Sequence, residues 1–214
     1  MAPLRCVVLG GGGHAKVVID VLRSQGRYAP AAVTDPKPKA RELLGVPVAG
    51  GDETLPGLKK KGVSWFVVGL GGVPDNRPRA ALFRKGRAAG LRPATAVHDS
   101  AVIAAGARLG AGTVAMAGAI VNPDASIGEN VILNTGSIVE HDARIADHVH
   151  VCPGALVSGG VVIGEGAFIG AGSVVKENVR IGAWAVVGAG AVVLEDVRAG
   201  ARVAGAPARP LGKK

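Results

Sequence analysis

The stretch Asn134-Thr135-Gly136-Ser137-Ile138-Val139-Glu140-His141-Asp142 gathers an amide, two carboxylates and an imidazole within nine residues. A neutral imidazole can accept a proton near pH 7. A carboxylate beside it fixes its tautomer and raises its basicity. His141, followed directly by Asp142, is therefore a candidate general base for a reaction in which a nucleophile loses a proton as it attacks. Eighteen residues after His141 comes Gly159, within Ser158-Gly159-Gly160. Backbone N–H groups with no side chain in the way can stabilise an oxyanion. A tight corner would use the same glycines. Of the other histidines, His148 is expected at the surface, and His98 reads as a structural residue in the approach to the repeats.

The element that must position these groups is visible in the period. From Val97 to Val193 every sixth residue is aliphatic, and sixteen of these seventeen positions are Val, Ile or Leu. Four residues after each stands a small or β-branched side chain, such as Ala101, Thr113, Ser137 or Ala155. A helix needs a period of 3.6 and a flat strand a period of 2. A strict six fits a short strand, a corner and the next strand, the signature of a parallel β-helix. Three hexapeptides make one triangular coil, so residues 18 apart stack and share a continuous apolar core. Val97 to Arg198 spans 102 residues, between five and six coils. Counted from Val139, His141 and Asp142 fall at a corner, outside the core.

Residues 1–92 show no such period. Arg5–Leu9 is a short apolar strand. Gly10-Gly11-Gly12-Gly13 and a helical pattern beginning at His14 follow it. Ala29–Thr34 and Trp65–Val68 read as strands, and Arg77–Ala89 as a basic amphipathic helix. Alternating strands and helices predict a small Rossmann-like parallel sheet. Ligands in such sheets bind beyond the carboxyl ends of the strands. The Gly10–His14 loop, Asp35 and the Gly69–Gly72 loop all fall there. Backbone N–H groups at the start of a helix can hold a phosphate, although Lys16 is followed by no Ser or Thr and completes no P-loop. Asp35 could accept hydrogen bonds from a ribose or a base, or could form a turn before Pro36. The expected organisation is an α/β domain over 1–92 followed by a β-helix domain and tail over 93–214.

Aromatics make up 3% of the chain and Gly 34 residues, a composition suited to a narrow solenoid of Val, Ile and Ala. Two cysteines, Cys6 and Cys152, are too few for a disulfide framework. The longest apolar stretch, Ala183–Leu194, is too short to span a membrane and obeys the six-residue frame. No membrane association and a cytoplasmic location are expected. The net charge of +9 suits anionic ligands. No interleaved aromatics or nucleic-acid motif accompany it, so small phosphorylated ligands are expected rather than nucleic acid.

Taken in order, Gly-Gly-Gly-Gly-His-Ala-Lys-Val-Val-Ile-Asp, Leu44-Gly45-Val46-Pro47-Val48, Val97-His98-Asp99-Ser100-Ala101, the hexapeptides and Gly205-Ala206-Pro207-Ala208 resemble the sialic-acid and bacillosamine type of hexapeptide acyltransferase over nearly the whole chain. The resemblance implies a nucleotide-sugar-binding domain before a left-handed β-helix, a homotrimer, acetyl-CoA as donor and no metal. It implies N-acetylation of a nucleotide-linked 4-amino-4,6-dideoxy sugar, with GDP favoured over UDP, by direct attack. His141 would be the base, Asp142 its partner and Gly159 the oxyanion site. Gly12, Gly13, His14, Lys16, Asp35, Gly71, Asn134 and Glu140 would hold the sugar nucleotide. His150 would contact acetyl-CoA. Gly170, Ala171, Gly188 and Ala189 would form a smooth strip for the pantetheine arm, and Lys176, Arg202, Pro207 and Arg209 are candidates near the CoA phosphates.

Three other readings remain at this stage. One is O-acetylation of a sialic acid on the same scaffold. Another is a metal hydratase with His141, His148 and His150 as zinc ligands, which leaves the first domain without a purpose. The third is a non-catalytic sugar-binding or scaffold protein.

Overall fold

In the computed structural model, which describes residues 2–72 and 74–212, the chain builds the expected sheet first. Strands β1 (Leu4–Leu9), β2 (Tyr28–Thr34), β5 (Trp65–Val68) and β6 (Arg92–Pro93) form a four-stranded parallel sheet in the order β2-β1-β5-β6. Cys6–Leu9 are wholly buried, because a central parallel strand is covered on both faces. Helix α1 (Gly13–Gln25) buries Ala15, Val18, Ile19, Val21 and Leu22 and stops at Gly26, whose left-handed φ of 67° ends the helix. Between β2 and β5 lie a small hairpin, β3 (Glu42–Leu43) with β4 (Val46–Pro47), a 3-10 turn at Asp52–Thr54, and helix α2 (Leu55–Lys60). The hydrophobic pattern of that stretch is too short-ranged to announce these elements. Helix α3 (Arg77–Ala88) follows β5.

The solenoid begins at Ala96–Val97. Its two-residue strands stack in parallel at a spacing of 18, as in Val114↔Ile132, Ile138↔Leu156 and Arg144↔Val162. They form three sheets, one for each face of a triangular prism. In each strand the second residue points inward, and these side chains join the small residues near the corners in one buried column from Ala115 to Val203. The tail folds back as Arg209–Pro210, antiparallel to Arg202–Ala204.

The outward residues differ from face to face. On the first face Ala96, Val114, Ile132 and His150 are buried, and the first three pack with Val18, Val21 and Leu22 of α1. The second face presents Val102, Ile120, Ile138, Leu156, Val174 and Val192, an outward row that is aliphatic throughout. Val102 is 60% exposed. The third face presents Arg108, Ser126, Arg144, Val162 and Arg180.

Helix α3 also docks on the solenoid. The Asn76 amide donates to the carbonyls of Gly166 and Ala167 at 3.2 Å each. The Arg77 guanidinium sits 4.7 Å from the centre of the Trp184 ring. Arg79, fully buried, donates to the carbonyl of Asn130. Burial pushes the Arg79 pKa down to about 9, since a guanidinium out of water has lost its hydration.

Candidate active site

His141 lies in the corner between the second and third faces, after strand Ile138–Val139 and before Arg144–Ile145. The corner requires a left-handed residue, and Asp142 supplies it with φ 59°. Asp tolerates that conformation because its short polar side chain bonds locally. Its Oδ2 lies 2.8 Å from His141 Nδ1, so Nδ1–H donates to the carboxylate and Nε2 carries the free lone pair. This bond is the main cause raising the His141 pKa. Desolvation opposes it, and the charges of Asp142 and then Glu140 add smaller upward effects.

The imidazole lies over Gly159, one coil on. A Cβ at this glycine would stand 2.8 Å from His141 Cε1 and Nε2, so the ring occupies the space that any side chain there would need. The neighbouring Gly160 N–H is committed to the His141 carbonyl at 3.0 Å. The Gly159 N–H has no partner among the described residues. A proton acceptor and an unspent backbone donor thus sit side by side at an open corner.

A second group forms where the domains meet. His150 is 4% exposed. Its Nδ1 donates to the carbonyl of Gly72 at 3.1 Å, and its Nε2 accepts from the Asn134 amide at 3.0 Å. The His14 ring is 6.3 Å away, centre to centre, and Gly71 packs against it. Burial, with the Arg79 charge beside it, lowers the His14 pKa to about 4 and the His150 pKa to about 3. Both imidazoles are neutral at pH 7. The buried His14 Nε2 has no partner among the described residues. His148, expected at the surface, is 8% exposed. It meets the Asn130 amide at 3.1 Å and packs edge-on against Phe83 of α3. The docking of α3 covers it, and hexapeptide position alone carries no sign of that docking.

The remaining candidates divide between the two edges of the second face. Asn134, Gly170, Ala171, Gly188 and Ala189 belong to the corner before it. Gly170 is so closely stacked that a Cβ would lie 2.6 Å from Ala189 N. Glu140, His141, Asp142, Gly159 and Lys176 belong to the corner after it. One chain therefore brings the base to Gly159, and Asn134 to His14, His150 and Gly71. It does not bring these two groups together. Pro207 and Arg209 are exposed at the far end, and Arg209 lines a small cleft with Leu194 and Glu195. His141, His148 and His150 stand in two different corners and on the first face, so they do not converge on a common point.

In the first domain Asp35 Oδ2 accepts from the Gly11 N–H at 2.9 Å and Oδ1 from the Lys37 N–H at 2.8 Å. It fixes the glycine loop to the end of β2. A cavity of about 290 Å³ opens there, lined by Gly11, Gly12, Gly13, Lys16, Asp35, the Lys37–Ala40 segment, Glu42 and Leu43.

This pairing of a parallel sheet domain with a triangular six-residue solenoid defines an acyltransferase of the hexapeptide class. Residues 5–85 match the PglD N-terminal domain, and residues 124–159 and 160–195 match the bacterial transferase hexapeptide of six repeats. The chain belongs to this family of hexapeptide transferases, whose β-helix is left-handed. Among solved structures, it is similar to PerB from Caulobacter crescentus in complex with CoA and GDP-perosamine. Identity is 43% over 97% of each chain, with a TM-score of 0.90. Two further forms of that perosamine N-acetyltransferase carry a histidine replaced by Asn or Ala. The acetyltransferase domain of PglB from Neisseria gonorrhoeae, in complex with acetyl coenzyme A, is 33% identical over 98% of this chain and all of that one, with a TM-score of 0.90. WeeI from Acinetobacter baumannii is 27% identical over 97% of this chain and all of that one, with a TM-score of 0.83. No curated protein sequence matches.

Proposed function

We propose that the protein transfers the acetyl group of acetyl-CoA to the amine of a nucleotide-linked 4-amino-4,6-dideoxy sugar, with GDP-perosamine the favoured acceptor. The observation that carries this reading is the 43% identity over 97% of both chains to a protein solved with CoA and GDP-perosamine. The corner that carries His141 supplies fitting chemistry. The neutral amine attacks the thioester carbon. His141 Nε2 takes the proton released as the C–N bond forms, and Asp142 holds the resulting imidazolium. The Gly159 N–H faces the developing oxyanion. The C–S bond then breaks, and the departing thiolate takes the proton back from the His141 imidazolium, so that CoA leaves as the thiol and the base is restored.

In this reading the first domain holds the nucleotide, and the Gly170–Ala171 and Gly188–Ala189 strip takes the pantetheine arm. The separation of the two residue groups by the width of the second face supports a homotrimer, in which one chain's His141 meets its neighbour's sugar site. The aliphatic row on that face is suited to burial against a partner. The test is release of free thiol from acetyl-CoA with GDP- and UDP-linked 4-amino sugars, and with free sialic acid, alongside light scattering. Thiol release with the GDP-linked amine by a trimer is expected. Release with sialic acid alone, or full activity as a monomer, overturns the reading.

A further inference from the structure

The net charge is concentrated in one domain. Residues 1–92 carry 16 Lys and Arg against 6 Asp and Glu, a net of +10, whereas residues 93–214 carry 9 against 10. Six of these cations gather where the parallel strands begin, at the opposite end of the sheet from the glycine loop. Arg27 precedes β2, Arg5 is second in β1 and Arg92 opens β6. The backbone sets them along one edge. The Leu4 N–H donates to the Arg27 carbonyl at 2.9 Å, the Ser64 N–H to that of Arg5 at 3.3 Å, and the Arg92 N–H to that of Ser64 at 2.9 Å. Lys59, Lys60 and Lys61 close α2, and the Lys59 ammonium lies beside Gly90, just past α3. All six side chains are exposed, and none forms an ion pair among the described residues.

Two of them are held in place. The Arg27 guanidinium sits 5.3 Å from the centre of the Tyr28 ring, and that of Arg92 4.7 Å from the centre of the Trp65 ring. Apolar side chains stand at the same end. Leu4 is 37% exposed, and Leu44, 48% exposed, lies beside the last turn of α1, where Arg23 donates to its carbonyl. The nearest acidic groups are Asp20, turned toward His98 at 4.0 Å, Glu42, and Asp99 past the end of α1. The edge also has a fixed direction. Helix α1 begins by the fourth coil, where His14 nears His150, and ends by the first, where the Ser24 hydroxyl accepts from the Asp99 N–H at 3.0 Å. Helix α3 runs the same way, from Asn76 at Gly166 to Phe83 at Gly112. The strands run opposite to these helices, so they begin at the end of the molecule where the solenoid begins.

We propose that this edge is a docking surface for an anionic lipid bilayer. In the homotrimer of the reading above, on which this step rests, the second faces are buried along their length, so the three-fold axis follows the solenoids. Three such edges then face one way. Cations spread along an edge, with leucines between them, do not converge on a point as they would for a single phosphate. They fit a surface of distributed negative charge over an apolar interior. Three copies facing one plane add avidity that a single edge lacks. Among the described residues no helix is long and apolar enough to cross a membrane. The contact is therefore peripheral, and it leaves the glycine loop and the His141 corner free.

Co-sedimentation of the intact protein with vesicles tests this. It should bind phosphatidylcholine vesicles that contain phosphatidylglycerol and not phosphatidylcholine alone. Binding should fade as salt rises, since charges are screened within about 10 Å at 0.1 M. Replacing Lys59, Lys60 and Lys61 together by Gln removes three of the six cations. At about fivefold per cation, affinity should fall by about 10²-fold. Melting temperature and thiol release should stay unchanged, because these exposed side chains belong to neither site. Arg108→Gln, Arg144→Gln and Arg180→Gln together remove the same charge from the third face and should weaken binding by less than about threefold. Equal loss in the two triple variants overturns the proposal, since overall charge would then suffice. So does equal binding to both kinds of vesicle, or binding to neither. Capture of poly-glutamate by a protein that ignores the anionic vesicles would give the edge to an acidic protein instead. Vesicle binding needs no acetyl transfer, so a protein that binds vesicles but releases no thiol refutes the proposed reaction and leaves the docking edge standing.

Discussion

At the corner between the second and third faces the His141 side chain is 64% exposed and bonded to a carboxylate, while at the domain junction His150 is 4% exposed and bonded to a backbone carbonyl and an amide. The corner raises its imidazole's pKa, chiefly by the hydrogen bond to Asp142. The junction lowers those of His14 and His150 to about 4 and about 3, chiefly by burial. The same side chain is thus set up for proton transfer near neutral pH in one place and as a permanently neutral hydrogen-bonding group in the other. Position in the coil decides which. The corner after the second face is left uncovered, so His141 meets solvent, whereas the corner that carries His148 lies under α3. His150, outward on the first face, is covered by the sheet domain.

The largest expected effect separates the two sites directly. His141→Asn keeps size and some hydrogen bonding but cannot take the proton, so kcat should fall by roughly 10²–10⁴ with substrate binding largely kept. With His141 as the base, the rate of the unaltered protein rises with pH and levels off above its raised pKa. Asp142→Asn removes the main cause of that rise, so the midpoint should move down in pH and the plateau should drop by less than for His141→Asn. More than about a tenth of the rate remaining in His141→Asn, with chemistry limiting turnover, would assign proton removal elsewhere.

Next in size is Gly159→Ala. The added Cβ would enter the space of the imidazole, 2.8 Å from Nε2. The backbone there has no left-handed requirement, and the imidazole is an exposed, movable group. Melting temperature should therefore change little, while displacement of the base should cost about 10²-fold in kcat. Full activity in the Gly159→Ala variant would show that the stacked position of His141 is not the working one.

How much of this was legible in the sequence follows from the same contrast. In the solenoid each residue's environment repeats every 18 positions, so the corner place of His141 and its stack on Gly159 can be counted from Val139. Strands β1, β2 and β5 of the first domain were legible from their apolar runs, whereas the two-residue strands β3, β4 and β6 are too short to carry a pattern. The junction was not. The burial of His148 and His150 depends on where α1 and α3 dock. That docking is carried by residues such as Asn76 and Arg79, which look in sequence like any polar surface of a basic helix. Arg79 is fully buried, and nothing in Arg77–Ala88 distinguishes it from its exposed neighbours.

The smallest expected effect concerns stability in acid. In the unfolded chain His14 and His150 titrate near the ordinary value of 6.5, whereas in the folded protein they resist protonation down to about 4 and about 3. Between pH 6.5 and about 4 the unfolded state therefore binds more protons. Stability is complete above that window and is lost as pH falls through it, by up to about 1.4 kcal/mol per pH unit for each histidine. The groups facing them include Arg79, whose charge opposes their protonation further. Thermal unfolding should move down by several degrees from pH 7 to pH 5. His150→Gln should melt lower at pH 7, because it loses the fitted contacts with Gly72 and Asn134, yet its melting temperature should fall less steeply with acid. An unchanged slope in His150→Gln would mean that the acid sensitivity arises outside the junction.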